Sequence, residues 1–295
     1  MVKTPTPDHA KTSVQLTHPE RIYWPDDGVS KQDLVDYYAL AFERMAPFVV
    51  DRPLALLRCP DGIKGPRFFQ KHAWKGINPH IEEIADPQDK DGEKLLRIRD
   101  LDGLAALVQS AALEIHPWGT TTAHWEKPDM IIMDLDPGED VAWSAVIAGA
   151  QDIRDRFSAM GLASYVKTSG GKGLHVVAPL TPKAEWPDVK KAAEAIAGGM
   201  SADSPEKYLS VATKAKRTGH IFVDYLRNGR GNTAVAPYST RARPGAAISM
   251  PLAWEELTEE TGPASFTVKN AASRLQQGAA NPWADFFEAA RPLKS

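Results

Sequence analysis

The sequence predicts an α+β fold in which mixed and antiparallel sheets are flanked by helices. Two observations favour this class. Helix and strand patterns alternate irregularly along the 295 residues, and some strand patterns follow one another across short turns, as in hairpins. A doubly wound parallel sheet would require a regular alternation of strands and helices. Because the chain contains no repeat, low-complexity tract or long linker, we expect one domain over residues 1–295, whose elements can form two packed lobes.

The N-terminal half is predicted to begin with a capped helix and a hairpin. Ser30, with an aspartate three residues later, has the pattern of a capping box. Apolar residues at helical spacing continue to Pro47, where we expect the helix to end. Residues 53–58 and 67–72 predict two strands joined through a Pro-Asp-Gly turn, and residues 103–113 predict a second helix.

The C-terminal half contains further segments of helical and strand periodicity. A glycine-rich loop at residues 169–173 joins two of the strands. The predicted elements are, in order, a helix from about Val141 to Gly161, strands at Ser164–Thr168 and Leu174–Ala178, a helix near Asp188–Ala197, a strand at Ile221–Leu226 and a short packing helix at Trp283–Ala290.

Composition limits the class of protein. With 43% hydrophobic and 25% charged residues, the chain is typical of an ordinary globular protein. A single cysteine, Cys59, excludes an internal disulfide and a thiolate-rich metal site, which is typical of a reducing cytoplasm. Residues 1–13 do not resemble a signal peptide, and no apolar run is long enough to span a bilayer. We therefore expect a cytoplasmic, monomeric protein that does not contact a membrane.

Charge is distributed unevenly along the chain. The net charge of −3 argues against a partner bound by overall electrostatics, but residues 207–245 contain eight Lys or Arg and one acid, Asp224. These cations are Lys207, Lys214, Lys216, Arg217, Arg227, Arg230, Arg241 and Arg243. The segment predicts a local field that attracts a polyanion, and the alternative is an ordinary solvated surface.

Two aspartates, Asp134 and Asp136, lie at the end of an apolar strand pattern. Strand side chains alternate between faces and repeat at about 6.6–7 Å, so both carboxylates point to one side and Leu135 points to the other. Oxygen-only ligands favour magnesium or manganese over zinc. Without a cation the two acids repel, and one would take up a proton. The pair therefore predicts half of a divalent metal site.

A third acid, Asp224, interrupts the apolar pattern of a later strand. A carboxylate in such a position is costly to desolvate unless a charge partner offsets the cost. Three acids on neighbouring strands can bind two metal ions about 3.5–4 Å apart, as in polymerases. The alternative is a structural ion pair from Asp224 to Arg227 or Arg241.

The loop from Ser169 to His175 has the sequence Ser-Gly-Gly-Lys-Gly-Leu-His. Its glycines let backbone N–H groups approach an anion, while Lys172 supplies charge and His175 a directed hydrogen bond. It is not a Walker motif, because the order of residues differs and a strand follows. The alternatives are a plain hairpin turn for the loop and a structural role for a second histidine, His116, which precedes the aspartate pair.

One predicted strand interleaves aromatic residues with cations, a combination that can stack bases and neutralise phosphate. Phe68 and Phe69 are adjacent, so they face opposite sides of the strand, and we expect at least one of them to belong to the core. Lys71 follows on the same strand.

Several of these motifs together resemble the polymerase domain of bacterial DNA ligase D and its stand-alone relatives, in the archaeo-eukaryotic primase superfamily. They occur in the family's order and extend over nearly the whole chain. The matching segments are His116-Pro-Trp118, Met133-Asp-Leu-Asp-Pro-Gly138, Ser169-Gly-Gly-Lys-Gly-Leu-His175, Phe222-Val-Asp-Tyr-Leu-Arg-Asn228 and Ala236-Pro-Tyr-Ser-Thr-Arg-Ala-Arg-Pro244.

The resemblance implies a primase-type catalytic core that extends DNA primer 3′ ends with NTPs or dNTPs in non-homologous end joining. It implies two manganese or magnesium ions and, as partners, gapped or broken DNA, a Ku-like end-binding protein and a DNA ligase. Residues 1–295 contain no Lys-x-Asp-Gly motif and no nuclease-like histidine cluster, so we expect no ligase or nuclease domain among them.

By position, the resemblance implies a role for each matching residue. Asp134, Asp136 and Asp224 would bind the metal ions. The nucleotide would contact Lys71, His116, Ser169, Lys172, His175, Arg241 and Arg243. Phe68 and Phe69 would stack near the template base, and His18, Arg21 and Lys31, around a tight turn at residues 25–28, would bind a downstream 5′-phosphate.

Two other readings remain open at the level of sequence. A metal-dependent glycosyltransferase also uses an Asp-x-Asp pair, but it would not require Asp224 or the basic segment. A DNA-binding module without catalysis would not require the three acids.

Overall fold

The computed structural model describes residues 10–211, 217–276 and 280–294. Lys214 and Lys216 of the basic segment lie outside these ranges. The strands are β1 Ile22–Trp24, β2 Val29–Ser30, β3 Leu54–Arg58, β4 Phe68–Gln70, β5 Glu82–Ala85, β6 Lys94–Arg97, β7 Ala112–Pro117, β8 Met130–Pro137, β9 Tyr165–Thr168, β10 Leu174–Pro179, β11 Tyr208–Leu209, β12 Ile221–Asp224 and β13 Pro251–Leu252. The helices are α1 Lys31–Val49, α2 Leu101–Gln109, α3 Trp143–Ala159, α4 Trp186–Asp203 and α5 Val268–Gln276, with short 3-10 helices at Leu226–Asn228 and Trp254–Glu256.

A six-stranded sheet forms the centre of one half of the molecule, in the order β11-β12-β8-β10-β9-β13. The β11–β12 pair is parallel and the other pairings in this sheet are antiparallel, so the sheet is mixed. Helices α3 and α4 pack on β8. Leu135 faces α3 beside Gly149, which leaves the opposite face of β8, with Asp134 and Asp136, clear of helices α3 and α4.

A second sheet has the order β4-β3-β6-β5, and β7 pairs with β3. Residues of β3 pair with β7 on one edge and with β4 and β6 on the other, as Leu54 and Leu57 each have a partner on both sides. Helices α1 and α2 pack together and against β7. The prediction of an α+β fold with mixed and antiparallel sheets flanked by helices is confirmed. Within the described ranges, no helix combines the length and the apolar character needed to cross a membrane.

The prediction that Pro47 ends the first helix was wrong. The capping box at Ser30 is present, but α1 continues through Pro47 to Val49. Proline removes one backbone donor and is tolerated close to a helix end. The buried side chains of Phe48 and Val49 keep the last turn packed against the core.

Other element boundaries also differ from the sequence prediction. The second helix ends at Gln109, and Ala111 takes a positive φ of 61° that breaks it, so the last predicted helical residues lie in β7. Strand β12 ends at Asp224, whose Oδ1 accepts the Leu226 N–H at 2.8 Å and turns the chain. The segment 283–290, predicted to be a short packing helix, is a series of turns. Its expected packing role is kept, because Trp283 packs against Phe48. The prediction missed the short strands β1, β2, β5, β6, β7, β11 and β13.

Candidate active site

Three carboxylates lie on one face of the six-stranded sheet. On the antiparallel pair β8–β12, Asp224 is directly opposite Asp134, and Phe222 is opposite Asp136. Directly opposite residues project to the same side of a sheet, with Cβ atoms about 4.5–5.5 Å apart. Asp224 is 8% exposed, so its carboxylate is buried beside the other two. The fold therefore brings the three predicted acids together from segments ninety residues apart.

The same row continues across the sheet with basic side chains. His175 on β10 is opposite Asp134, and its Nε2 lies 3.5 Å from Asp134 Oδ1. Lys167 on β9 is opposite His175 and is 2% exposed, with Nζ donating to the carbonyl of Val235 and the hydroxyl of Ser249. Sequence reasoning missed Lys167, because its place on the face of His175 follows from the register of β9 and β10.

Arginine side chains bind the three acids directly. Arg227 Nη2 lies 3.3 Å from Asp134 Oδ2, and its Nε lies 3.2 Å from Asp224 Oδ2. Arg217 Nη1 donates to Asp136 Oδ2 at 2.6 Å. One of the two alternatives, an ion pair from Asp224 to Arg227, is thus present together with the carboxylate cluster. In the described part of the chain, no three His, Cys, Asp or Glu side chains are arranged to hold a metal ion as they stand.

Burial of the cluster makes full ionisation unfavourable. Desolvation raises the pKa of Asp134 to about 6, the charge of Arg227 opposes this rise, and Asp224 and Asp136 add to it. Carboxylates held this close are stabilised as anions when a cation binds among them. The donor set, three acids on one face, therefore suits a hard divalent cation once the arginines exchange partners.

The glycine loop is the hairpin between β9 and β10. Gly170 has a φ of +63°, and a Cβ there would lie 2.7 Å from Cγ of Arg241. A Cβ on Gly173 would lie 1.8 Å from the carbonyl oxygen of Leu135, so only glycine fits. Ser169 Oγ accepts the N–H groups of Gly171 and Gly173, each at 3.2 Å. These two N–H groups are already bonded to Ser169 Oγ, and the role of the loop in binding an anion stays a prediction.

The loop, two of the three acids and three arginines line a pocket of about 430 Å³, and Asp224 lies beside this lining rather than in it. Seven predicted site residues line it. They are Asp134, Asp136, Ser169, Lys172, His175, Arg241 and Arg243. Arg227, which was not among the predicted site residues, lines it as well. Desolvation lowers the pKa of His175 well below its usual range, and nearby cations lower it further, so its ring is neutral at pH 7.

A buried glutamate, Glu114, links the second sheet to this pocket. It lies two residues before His116 on β7, so both side chains share one face. His116 Nε2 lies 2.9 Å from Glu114 Oε2, and Arg241 Nε lies 3.1 Å from the same oxygen. The N–H of Ala242 donates to Oε1 at 2.9 Å. Sequence reasoning missed Glu114, although the two-residue period of a strand could have identified it.

The aromatic pair of β4 is exposed on both sides. Phe68 and Phe69 are each 52% exposed, so the expectation that one of them belongs to the core was wrong. Strand β4 ends its sheet, and neither face of it is covered. The ring of Phe69 meets His116 edge-on at 5.6 Å, and Lys71 Nζ lies 5.9 Å from the centre of the Phe69 ring. Phe69, Lys71 and His116 therefore lie together.

The residues predicted to bind a 5′-phosphate also lie together, around the start of α1. The Arg21 N–H donates to His18 O, and the Lys31 N–H donates to Arg21 O. Lys31 is 3% exposed, and its Nζ donates to the carbonyl of Thr17 at 2.6 Å and to Gln109 Oε1 at 3.3 Å. Burial, and then the charge of Arg21, lower the pKa of Lys31. His18 is exposed beside Glu20.

The hairpin β1–β2 connects this region to the pocket. The indole N–H of Trp24 donates to the carbonyl oxygens of Arg241 and Arg243, at 3.2 and 3.0 Å. The N–H of Gly245 donates to Asp27 Oδ2 at 2.9 Å. The backbone that carries both pocket arginines is therefore fastened to the hairpin.

The positive charge of the basic segment is neutralised by acids to a larger extent than its sequence predicts. Arg217, Arg227, Arg230 and Arg241 all form ion pairs with acids. Arg230 binds Asp86 and Glu126 and stacks on Trp118. The predicted polyanion field therefore depends on the exchange of these partners.

Comparisons with known proteins agree on one family. The family model for the LigD primase-polymerase domain matches residues 30–283. The multifunctional non-homologous end joining protein LigD of Pseudomonas aeruginosa is 37% identical over 278 residues, which are 94% of this chain and 33% of that protein. The bifunctional non-homologous end joining protein LigD of Bacillus subtilis is 26% identical over 289 residues, 97% of this chain and 46% of that protein. The chain thus spans a third to a half of the length of these relatives.

A solved structure has the same fold. It is the polymerase domain of Mycobacterium tuberculosis ligase D in complex with DNA, with a TM-score of 0.85 and 28% sequence identity. The alignment covers 95% of this chain and all of the solved chain. The resemblance drawn from the motifs is thereby confirmed, and the chain belongs to the family of LigD primase-polymerase domains.

Proposed function

We propose that this chain is a metal-dependent nucleotidyltransferase that extends DNA primer 3′ ends with NTPs or dNTPs and releases pyrophosphate. Its role would be gap filling, end processing and untemplated addition during non-homologous end joining. The observation that carries the proposal is the register of β8 and β12, which places Asp224 opposite Asp134 at the edge of a cation-lined pocket. A site for a nucleotide-sugar diphosphate would not require that third acid.

The acids suit two manganese or magnesium ions. Asp134 and Asp136 would bind both ions, and Asp224 would complete the catalytic one. Bound ions of this kind activate an attacking hydroxyl and neutralise charge on the phosphates. Arg217 and Arg227 would then exchange their carboxylate partners for phosphate oxygens, since both kinds of oxygen accept guanidinium N–H groups.

The pocket side chains would hold the nucleotide. Lys172, Arg241 and Arg243 supply positive charge for the triphosphate, and the Ser169 hydroxyl retains its own O–H as a donor. His175 lines the pocket, and His116 is connected to Arg241 through Glu114. Phosphoryl transfer of this kind depends mainly on positioning and charge neutralisation, so the site needs no strong protein base.

The second sheet and α1 would hold the DNA. The exposed rings of Phe68 and Phe69 are suited to stacking near the template base, with Lys71 next to the incoming nucleotide. His18, Arg21 and Lys31 would bind the 5′-phosphate across a gap. We further propose that the chain is monomeric, acts in the bacterial cytoplasm at the nucleoid, and works with a Ku-like end-binding protein and a DNA ligase.

The test is primer extension on a recessed DNA end, with NTP against dNTP and manganese against magnesium. The wild-type chain should add nucleotides, and Asp134→Ala should add none while it binds the DNA end as tightly as before. Asp155→Ala, which removes an exposed acid of α3, is the matched control and should behave as wild type. Loss of DNA binding in Asp134→Ala would instead give that carboxylate a structural role, and an inactive wild type would refute the proposal.

A further inference from the structure

Among the residues described, Glu114 is the one carboxylate that contacts two predicted nucleotide-binding residues, His116 of β7 and Arg241 of the segment after β12. It is 4% exposed, and its two oxygens are used by three groups. Oε2 faces His116 and Arg241, and Oε1 accepts the N–H of Ala242. His116 belongs to β7, whereas Arg241 and Ala242 belong to the segment that carries the pocket arginines. Glu114 therefore joins the two halves of the candidate nucleotide site.

We propose that Glu114 is a positioning residue of this site: its carboxylate fixes the tautomer of His116 and the orientation of Arg241 for the nucleotide. The inference rests on the proposed function and extends it to a residue that has no predicted contact with substrate.

The tautomer follows from the chemistry of the two partners. Burial alone would raise the pKa of Glu114, but the hydrogen bond from His116 and the charges of Arg241 and His116 outweigh it and hold the pKa at about 2. An ionised carboxylate can only accept hydrogen bonds. Since Nε2 of His116 lies 2.9 Å from it, Nε2 carries the proton.

The second nitrogen of His116 then has a defined role. Burial lowers the pKa of His116, and the hydrogen bond to Glu114 only partly opposes this, so the ring is neutral at pH 7. A neutral ring with its proton on Nε2 presents Nδ1 as an acceptor. An acceptor suits a nucleotide hydroxyl or a bound water better than a bare phosphate oxygen.

Arg241 is oriented from two sides. Its Nε lies 3.1 Å from Glu114 Oε2 as an ion pair without hydrogen-bond geometry, and its Nη1 donates a hydrogen bond to the carbonyl of Ser169. Without Glu114, the side chain would lose one of its two anchors, and the Ala242 N–H would lose its acceptor.

A purely structural role predicts a different outcome, so an acid outside the site that is paired, like Glu114, with an arginine is the control. Asp129 lies at the opposite end of β8 from the pocket and pairs with buried Arg52 at 2.6 and 2.9 Å. Glu114→Gln and Asp129→Asn both remove the negative charge of an acid that is paired with an arginine, without changing side-chain shape. Only the first should affect the nucleotide site.

The kinetic test measures KM and kcat for the nucleotide in primer extension, and Kd for the DNA end. We expect Glu114→Gln to raise KM roughly 10–100-fold, the usual effect of removing a partner that orients a ligand. kcat should change less, and the Kd for DNA should stay the same. Asp129→Asn should keep the wild-type KM. Equal KM values for Glu114→Gln and wild type, or the same rise in both variants, would overturn the proposal.

The spectroscopic test does not depend on catalysis. In protein labelled with nitrogen-15 at histidine, NMR should show His116 protonated on Nε2, with the signal assigned by its loss in His116→Gln. The side chain in Glu114→Gln has one oxygen and one NH2 group, so the NH2 group can face His116 Nε2 where the carboxylate oxygen was. We therefore expect the Nδ1-protonated form of His116 to gain population in Glu114→Gln. We expect no such gain in Asp129→Asn. A wild-type ring protonated on Nδ1 would refute the inference even if no variant folds. An inactive wild type with the expected tautomer would refute only the proposed function.

Discussion

The pocket and the region around the start of α1 both collect cations, but they hold them in different ways. In the pocket, Arg217, Arg227 and Arg241 lie within 2.6–3.3 Å of carboxylate oxygens. Near α1, Lys31 binds the carbonyl of Thr17 and the amide of Gln109, and Arg21 donates to the carbonyl of Pro60 at 3.0 Å. The first set is neutralised by acids, and the second is held by neutral oxygens.

The difference indicates two modes of anion binding. A cation held by neutral acceptors keeps its full charge, so it can bind a phosphate without giving up an ion pair. A cation paired with a buried acid must exchange that partner, and the acid it leaves needs another cation. If the proposed sites are right, we therefore expect the pocket to bind metal and nucleotide together and the α1 region to bind a phosphate without a metal.

The largest effect is expected where the pocket acids are changed. Asp224→Asn keeps the shape of the side chain but removes its charge opposite Asp134. We expect nucleotide addition to fall about 100–1,000-fold, as when one electrostatic group of an active site is removed. Binding of the DNA end should be retained. Activity within a few-fold of wild type would exclude Asp224 from the metal site.

The next effect concerns the stability of the folded chain and the ion pairs around the pocket. The pKa of Glu114 is about 2 in the folded chain, against an ordinary value of 4.5, so the folded state binds fewer protons. This contribution is present above pH 4.5 and is lost as pH falls from 4.5 toward 2, by up to about 3 kcal/mol. In urea unfolding, the difference in free energy of unfolding between wild type and Glu114→Gln should therefore become smaller from pH 6 to pH 3. A difference in free energy of unfolding that grows on acidification would contradict the lowered pKa of Glu114.

A smaller effect is expected at Arg21 and Lys31, the cations that are held by neutral oxygens. Arg21→Ala should lower the preference for a 5′-phosphorylated gap about tenfold while sparing simple primer extension, since a charge-assisted hydrogen bond is lost. The slope of DNA affinity against salt should fall by about one. The matched control is Lys64→Ala, an exposed cation of the same region that is paired with Asp26 at 2.7 Å. Equal use of both gap types by wild-type protein would remove the basis for this site.

The smallest effect tests the exchange of partners in the pocket. Arg227 is 42% exposed and binds two of the acids. Because exposed ion pairs contribute about 0.2–1 kcal/mol, Arg227→Met should tighten manganese binding in the absence of nucleotide about two- to fivefold. Electron paramagnetic resonance of unbound manganese measures this directly. Weaker binding in the variant would show that Arg227 supports the metal site rather than competing with it.

The strands that carry the three acids could be predicted from sequence, because the apolar residues of these segments form a clear strand pattern. The face shared by Asp134 and Asp136 follows from the two-residue repeat of a strand. That Asp224 lies beside them depends on the pairing of β12 with β8, which was inferred from chemistry and from the family resemblance. The register itself is a tertiary property that no local pattern specifies.

The features that sequence reasoning missed are those decided by tertiary contacts. Glu114 and Lys167 lie on ordinary strands, and their partners come from segments distant in sequence: Arg241 and Ala242 for Glu114, Val235 and Ser249 for Lys167. The end of β12 at Asp224 is set by a side-chain hydrogen bond to the next turn. Phe68 and Phe69 have core-like composition, yet their strand ends its sheet and both rings stay exposed. Whether residues 1–295 form a single domain, and the role of each site residue, stay predictions.

The two hydrogen bonds from the Trp24 indole have a geometric consequence. They fasten the hairpin that precedes Lys31 to the backbone of Arg241 and Arg243, so the separation of the two proposed anion sites is fixed by direct hydrogen bonds. A DNA gap bound at both ends would have to match that separation. We therefore expect the number of missing nucleotides to govern how well a gap is filled.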